Sequence, residues 1–184
     1  MKKHILDYEE IMEEIPFIID TLLREGGTLA GGALISIIRQ TDIRDWDVFF
    51  PNKDKKDAMI TCLELNGYTC NPKVTDDCWC CSKDGEAPIE LIFFRQYSHP
   101  MRLLWQFDMA QCCIGLTKDQ LYYTYAAVQA IENQVVEGTS PSLENPLRTF
   151  ERMLKYVNKG WTVGSSMMRA FKPYFPVKED KYEF

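Results

Sequence analysis

The chain has 184 residues, 46% of them apolar, and a formal net charge of −6 at pH 7. That is long enough for one good-sized core, and too acidic for a protein that coats nucleic acid by charge alone, although one basic face is still allowed. No stretch approaches the apolar length of a membrane span, and Asp7-Tyr8-Glu9-Glu10, close behind Met1, spoils the N-terminus as a signal peptide.

Apolar residues at helical spacing, among them Ile5, Tyr8, Ile11, Ile15, Ile18 and Leu22, predict a helix over 4–25. Pro16 should divide it and Gly26-Gly27 end it. A short strand over 28–30, a turn at Gly31-Gly32, a helix over 33–39 and a strand over 44–50 follow. Asn52 or Asp54 should cap a helix running to Asn66-Gly67, with Ala58, Met59, Cys62, Leu63 and Leu65 on its buried side. Strands are predicted over 68–74 and 78–82, a turn at Lys83-Asp84-Gly85-Glu86, and a strongly apolar strand over 89–94. Further strands are expected over 107–114 and 121–125, a helix over 126–133, an extended piece over 134–136 and a last long helix over 146–159. The tail from Phe171 reads as irregular. Interleaved strands and helices give an α/β or α+β domain with a helical C-terminal part.

The chemistry centres on Gly31-Gly32 and Asp45-Trp46-Asp47. Alternation along a strand puts Asp45 and Asp47 on one face, about 7 Å apart. Two such carboxylates repel unless a cation lies between them, and a hard divalent ion held by carboxylates and substrate phosphates suits that place. The glycines let backbone approach a phosphate closely. Glu90, a lone acid in Ile89-Glu90-Leu91-Ile92-Phe93-Phe94, is costly to bury unless paired or bound to metal. If its strand neighbours the aspartate strand, it completes a three-carboxylate cluster.

In the last helix, Arg148, Arg152, Lys155 and Lys159 line one face at spacings of 4, 3 and 4, with Phe150, Leu154, Val157 and Trp161 opposite. The expected arrangement is an apolar stripe docked on the domain and a basic stripe facing outward, toward a triphosphate or an RNA acceptor. The seven cysteines include no paired CxxC knuckle, and His4 and His99 lie far from Cys78-Trp79-Cys80-Cys81, so they are expected to be reduced, structural residues. An odd cysteine count without an export signal points to a reducing, cytoplasmic compartment. Neither histidine supports a hydrolase triad.

These motifs resemble, in order, those of the nucleotidyltransferase superfamily, and most of all the head domain of CCA-adding enzymes and bacterial poly(A) polymerases. Gly31-Gly32-Ala33-Leu34 through Asp45-Trp46-Asp47 resembles the glycine-glycine and aspartate-x-aspartate signature. Ile89 through Arg95 resembles the acid-bearing strand that ends in arginine, and Phe107-Asp108-Met109-Ala110-Gln111 the sugar-contacting motif. Glu144-Asn145-Pro146-Leu147-Arg148 resembles the base-reading element. The four matches cover roughly two thirds of the chain.

The resemblance implies a nucleotidyltransferase-like mixed sheet flanked by helices, with a head over 1–140 and a short helical neck over 141–184 packed on it. It implies transfer of NMP from an NTP by a two-metal mechanism, with Asp45, Asp47 and Glu90 as catalytic ligands of two Mg²⁺ (or Mn²⁺) ions, one activating the acceptor hydroxyl and the other neutralising the triphosphate. Gly31, Gly32, Arg95, Asp108, Asn145, Arg148 and Arg152 would bind the nucleotide, Asp108 at the ribose and Asn145 with Arg148 at the base. An RNA or tRNA end would dock on Arg148, Arg152, Lys155 and Lys159.

Three departures matter. Ile35-Ser36 stand where the family has arginine-aspartate, Phe107 replaces an arginine, and Asn145 replaces the base-reading aspartate. Asparagine donates as well as accepts hydrogen bonds, so strict C-then-A selectivity does not carry over. The sequence stops at Phe184, short of a tRNA-gripping body. The alternatives are a transferase that modifies a protein or small molecule, of toxin or defence type, and a non-catalytic nucleotide-binding domain. A binding module has no need of mutually repelling acids, which favours an enzyme.

Overall fold

Asp7 caps the first helix, α1 (Tyr8–Glu13), its carboxylate accepting from the Glu9 and Glu10 amides. Pro16 then starts α2 (Phe17–Arg24), so the long apolar pattern splits where proline removes a donor. The computed structural model describes residues 7–73 and 75–174. The expected helical residues 4–6, strand residue Val74 and the tail beyond Tyr174 lie outside the described residues. β1 (Thr28–Ala30), α3 (Gly32–Arg39), β2 (Trp46–Phe49) and α4 (Lys56–Leu65) follow. Next come β3 (Thr69–Pro72), β4 (Cys78–Ser82) and β5 (Ile89–Ile92). After them are α5 (Pro100–Leu104), β6 (Ile114–Leu116), β7 (Leu121–Tyr123) and α6 (Tyr125–Asn133). The chain closes with β8 (Val135–Val136), α7 (Pro146–Val157), β9 (Thr162–Val163) and α8 (Ser165–Phe171).

Seven strands form one mixed sheet in the order β3-β4-β5-β2-β1-β6-β7. β2 and β5 run parallel, and every other pairing in that sheet is antiparallel. The parallel pair is possible because α4 and the β3–β4 hairpin form the crossover between them. Leu22 and Leu23 of α2, Leu34 of α3, Val48 of β2 and Leu91 of β5 are fully buried in the core. β8 and β9 form a separate two-stranded parallel pair. Among the described residues no helix is long and apolar enough to cross a membrane.

Several expectations need correction. Neither Asn52 nor Asp54 caps α4: Asn52 Oδ1 accepts from the Asp54 amide at 3.0 Å, making a local turn before Lys55 begins the helix without a side-chain cap. Ile60 joins Met59 and Leu63 on the buried side, while Ala58 and Leu65 are exposed. The apolar stretch from Phe107 is no continuous strand: Met109 makes a single bridge to Gly138, Ala110–Cys112 is a 3-10 turn, and the sheet strand begins only at Ile114. Cys70 and Cys81 are not free. The β3–β4 register sets them opposite each other, and they are joined in a disulfide. Cys112 and Cys113 are buried and unbridged, as small apolar residues pack.

Gly27, at the entry to β1, has no room for a side chain. A Cβ there would lie 2.8 Å from both the Leu22 carbonyl oxygen and Val48 Cγ1. Gly27→Ala should therefore cost about 1–3 kcal/mol through overpacking against backbone and core, read as a lower denaturant midpoint with unchanged slope. A midpoint equal to wild type would show that α2 and β2 yield freely at this contact.

Candidate active site

The site is built where β1 gives way to α3. Gly31 has φ +84° and ψ −130°, a conformation closed to L side chains, and this turns the chain sharply into the helix. A Cβ on Gly31 would come within 4.0 Å of Asp47 Oδ2, so the aspartate carboxylate lies against the glycine turn. No side chain caps α3, which leaves its first-turn amides available to an anion.

β2 brings Asp47 to this turn, with Asp45 just ahead of the strand. In the parallel register Asp47 stands beside Glu90 of β5, and Glu90 in turn stands beside Cys80 of β4. Glu90 forms an ion pair with Lys73, which follows β3 and whose amide donates to the Cys78 carbonyl at 2.8 Å. Burial, then the neighbouring charges of Asp45 and Glu90, push the Asp47 carboxyl up to about 7, against the pull of Arg152 and Lys73.

Facing the acids, α7 closes a cleft of about 340 Å³. Gly32, Ser36, Arg44, Asp45, Asp47, Lys73 and Glu90 line it from the sheet side, with Arg148, Glu151, Arg152, Lys155 and Tyr156 from α7 and Lys159 just beyond it. The basic stripe thus borders the cleft, with Arg148, Lys155 and Lys159 exposed as expected and Arg152 partly buried. The expected docking stripe holds only in part: Trp161 is buried and Phe150 packs against the core, whereas Leu154 and Val157 keep 41% and 36% of their surface and Thr149 and Met153 are buried in their place. The reason is polar. Arg152 pairs with the largely buried Asp108, and Thr149 Oγ1 donates to Asp108 Oδ2 at 2.8 Å, which fixes the rotation of the helix.

Of the residues singled out in the sequence, Gly32, Asp45, Asp47, Glu90, Arg148, Arg152, Lys155 and Lys159 meet in this cleft, with Gly31 at its turn. Three others do not line it. Arg95 donates to the Gln106 carbonyl at 3.0 Å and lies over the Phe107 ring. Burial, and then the charges of Arg152 and Arg148, lower its pKa. Asp108 is engaged by Arg152 and Thr149, and Asn145 caps α7 by accepting from the Arg148 amide at 3.2 Å. Their contacts make Asp108 and Asn145 organisers of the basic helix. Sequence reasoning missed Ser36, Arg44, Lys73, Glu151 and Tyr156. Arg44 adjoins the acid motif and could have been found there, whereas Lys73 reaches the site only through the β3–β4 hairpin.

Asp45 and Asp47 offer hard oxygen donors, and burial of Asp47 beside the charges of Asp45 and Glu90 disfavours its bare carboxylate, which fits a divalent cation of the Mg²⁺ type. Among the described residues no group of three or more His, Cys, Asp or Glu is placed to hold a metal ion by itself. Two carboxylates with substrate phosphate oxygens remain a sufficient donor set.

The fold is nucleotidyltransferase-like. A CCA-adding enzyme in complex with CTP superposes with a TM-score of 0.72 at 11% identity, over 90% of this chain and 44% of that one. A Thermotoga maritima CCA-adding enzyme complexed with tRNA gives 0.66 at 11% identity, over 92% and 43%. A tRNA nucleotidyltransferase complexed with a primer tRNA and an incoming ATP analog gives 0.65 at 13% identity, over 84% and 49%. The chain thus spans a little under half the length of the solved structures it matches. No curated protein matches the sequence. Residues 2–134, well over half of the chain, match the family described as Gabija anti-defense 2 family protein. The chain belongs to the Gabija anti-defense 2 family.

Proposed function

We propose that the protein is a metal-dependent nucleotidyltransferase that transfers NMP from an NTP to a component of the Gabija defence system. The observation that carries the chemistry is the Asp45–Asp47 pair set against the glycine turn and faced by the cations of α7. The acceptor class rests on the family match.

Asp45 and Asp47 would hold the metal, with Glu90 beside them. Bound there, Mg²⁺ or Mn²⁺ would supply the charge that neutralises the triphosphate and eases deprotonation of the acceptor hydroxyl. The Gly31-Gly32 turn and the open amides of α3 accept the phosphates, and Arg44 adds charge beside them. Arg148, Arg152, Lys155 and Lys159 hold the nucleotide from the other wall. The acceptor oxygen bonds to the α-phosphorus as the bond to the β-phosphate bridging oxygen breaks. Pyrophosphate leaves and the acceptor's proton passes to solvent. Positioning and charge neutralisation account for the rate.

A second reading, transfer to an RNA 3′ end, is favoured by the basic face of α7 and by the tRNA bound in two of the matching structures. Incubation with each α-labelled NTP and Mg²⁺ separates the two, using extracts of cells that carry Gabija and, in parallel, total RNA. Label on a Gabija protein that is lost in Asp45→Ala/Asp47→Ala is the expected result. Label on RNA alone would assign the second reading. Absence of aspartate-dependent label on any acceptor would overturn both and leave a nucleotide-binding module.

A further inference from the structure

Glu90 stands where a third metal ligand would be expected, yet its carboxylate is taken by Lys73. The side chains keep 18% and 40% of their surface, respectively, so the pair sits at the cleft wall and not in bulk solvent. Burial works against the lysine's charge, but the hydrogen bond and charge of Glu90 outweigh it and hold its pKa above the ordinary value. Lys73 is anchored at its own backbone by the bond to the Cys78 carbonyl, at the turn end of the β3–β4 hairpin. Its ammonium lines the same cleft as Asp45 and Asp47.

The strand order then assigns it a side. β1 and the glycine turn flank Asp47 on one side, and β5 with Glu90 and Lys73 flanks it on the other. Phosphates held at the glycine turn leave the Lys73 flank for the incoming acceptor.

We infer that Lys73, held by Glu90, is a built-in cation on the acceptor flank, and that the metal site is confined to Asp45 and Asp47. The inference rests on the nucleotidyltransferase reading above. Glu90 is then a positioning residue that acts through Lys73, and Lys73 touches the attacking group. A fixed ammonium cannot be chelated away. It also favours an acceptor that approaches with negative charge on or beside the attacking oxygen.

The test uses the full chain with a non-hydrolysable α,β-methylene NTP, and follows Mn²⁺ binding by electron paramagnetic resonance against the nucleotide alone. The expected result is one Mn²⁺ per nucleotide complex. Its affinity should change by less than about 3-fold in Glu90→Gln and fall by at least about 10-fold in Asp47→Asn. In the transfer assay, Lys73→Met should lower kcat by about 10²-fold with a near-constant KM for NTP, and Lys73→Arg should restore part of it. Adding Glu90→Gln to Lys73→Met should cost little more, since both act on one group. A second Mn²⁺, or loss of Mn²⁺ in Glu90→Gln to the extent seen in Asp47→Asn, would overturn the inference and leave the transferase reading intact. Full Mn²⁺ affinity in Asp47→Asn would overturn the aspartate metal site itself, and the inference with it.

Discussion

Asp47→Asn is expected to lower transfer by at least about 10³-fold while making the metal-free protein more stable. In the unfolded chain an aspartate titrates near 3.9, whereas in the folded protein Asp47 is pushed up to about 7, by burial first and then by Asp45 and Glu90. Between those values the folded state binds the extra proton. The stability of the metal-free wild type should therefore fall as pH rises from about 4 through about 7, by an amount on the order of a few kcal/mol, and level off above. Asparagine carries no such charge, so the variant should lack this part of the pH dependence. Urea denaturation in EDTA at pH 5 and pH 8 measures it. The gap between variant and wild type should open at pH 8 and close when Mg²⁺ is supplied to the wild type. A variant less stable than wild type at pH 8, or one that still transfers, would refute the assignment of Asp47 as a strained metal ligand.

Asp108→Ala should be among the most destabilising single substitutions in the protein, although Asp108 does not line the cleft. Its side chain is only 12% exposed and pairs with Arg152, which is 31% exposed, while also accepting from Thr149. Removing it leaves a guanidinium in partly buried surroundings that already hold Arg95 and Arg148. Breaking such a pair by deleting one partner costs about 3–5 kcal/mol, a fall in Tm of roughly 6–20 °C for a chain of this size. Because Arg152 is freed, transfer should also fall more than folding alone explains, with the larger share in KM for NTP. Asp108→Asn, which can still accept from Thr149, should be milder. If thermal melts place Asp108→Ala within about 1 kcal/mol of wild type, the pair does not hold α7.

The acidic wall of the cleft was readable because its signals are local. The alternation of Asp45 and Asp47, the glycines before a helix, and the acid in an apolar strand each follow from a few neighbouring residues, and β2, α3 and β5 form where those signals lie. What failed depended on partners far away in sequence. The stretch after Phe107 is buried at Met109 through Cys113 on all sides, and such a run looks alike as strand or turn. α5 is only five residues long, too short for periodicity to show. The rotation of α7 is the instructive case. Its apolar stripe docks only through Phe150 and Trp161, because one ion pair to Asp108 and one threonine hydrogen bond turn the helix so that its cations border the acidic cleft. Periodicity reveals that a helix has two faces, and tertiary polar contacts decide which one is turned inward.

The parallel pairing of β2 with β5 also bears on how the protein is made. Asp47 and Glu90 meet only after α4 and the β3–β4 hairpin have been synthesised, and β1 waits longer still for β6 to pair Leu29 with Leu116. The cations of α7 come later yet. On the ribosome, then, the acids emerge first and must remain without their α7 partners while the intervening chain is translated, and closing such long loops is slow. A nascent chain would carry the aspartate pair well before the cleft opposite it is closed. Activity should consequently appear in one step, when α7 docks, and not grow with chain length.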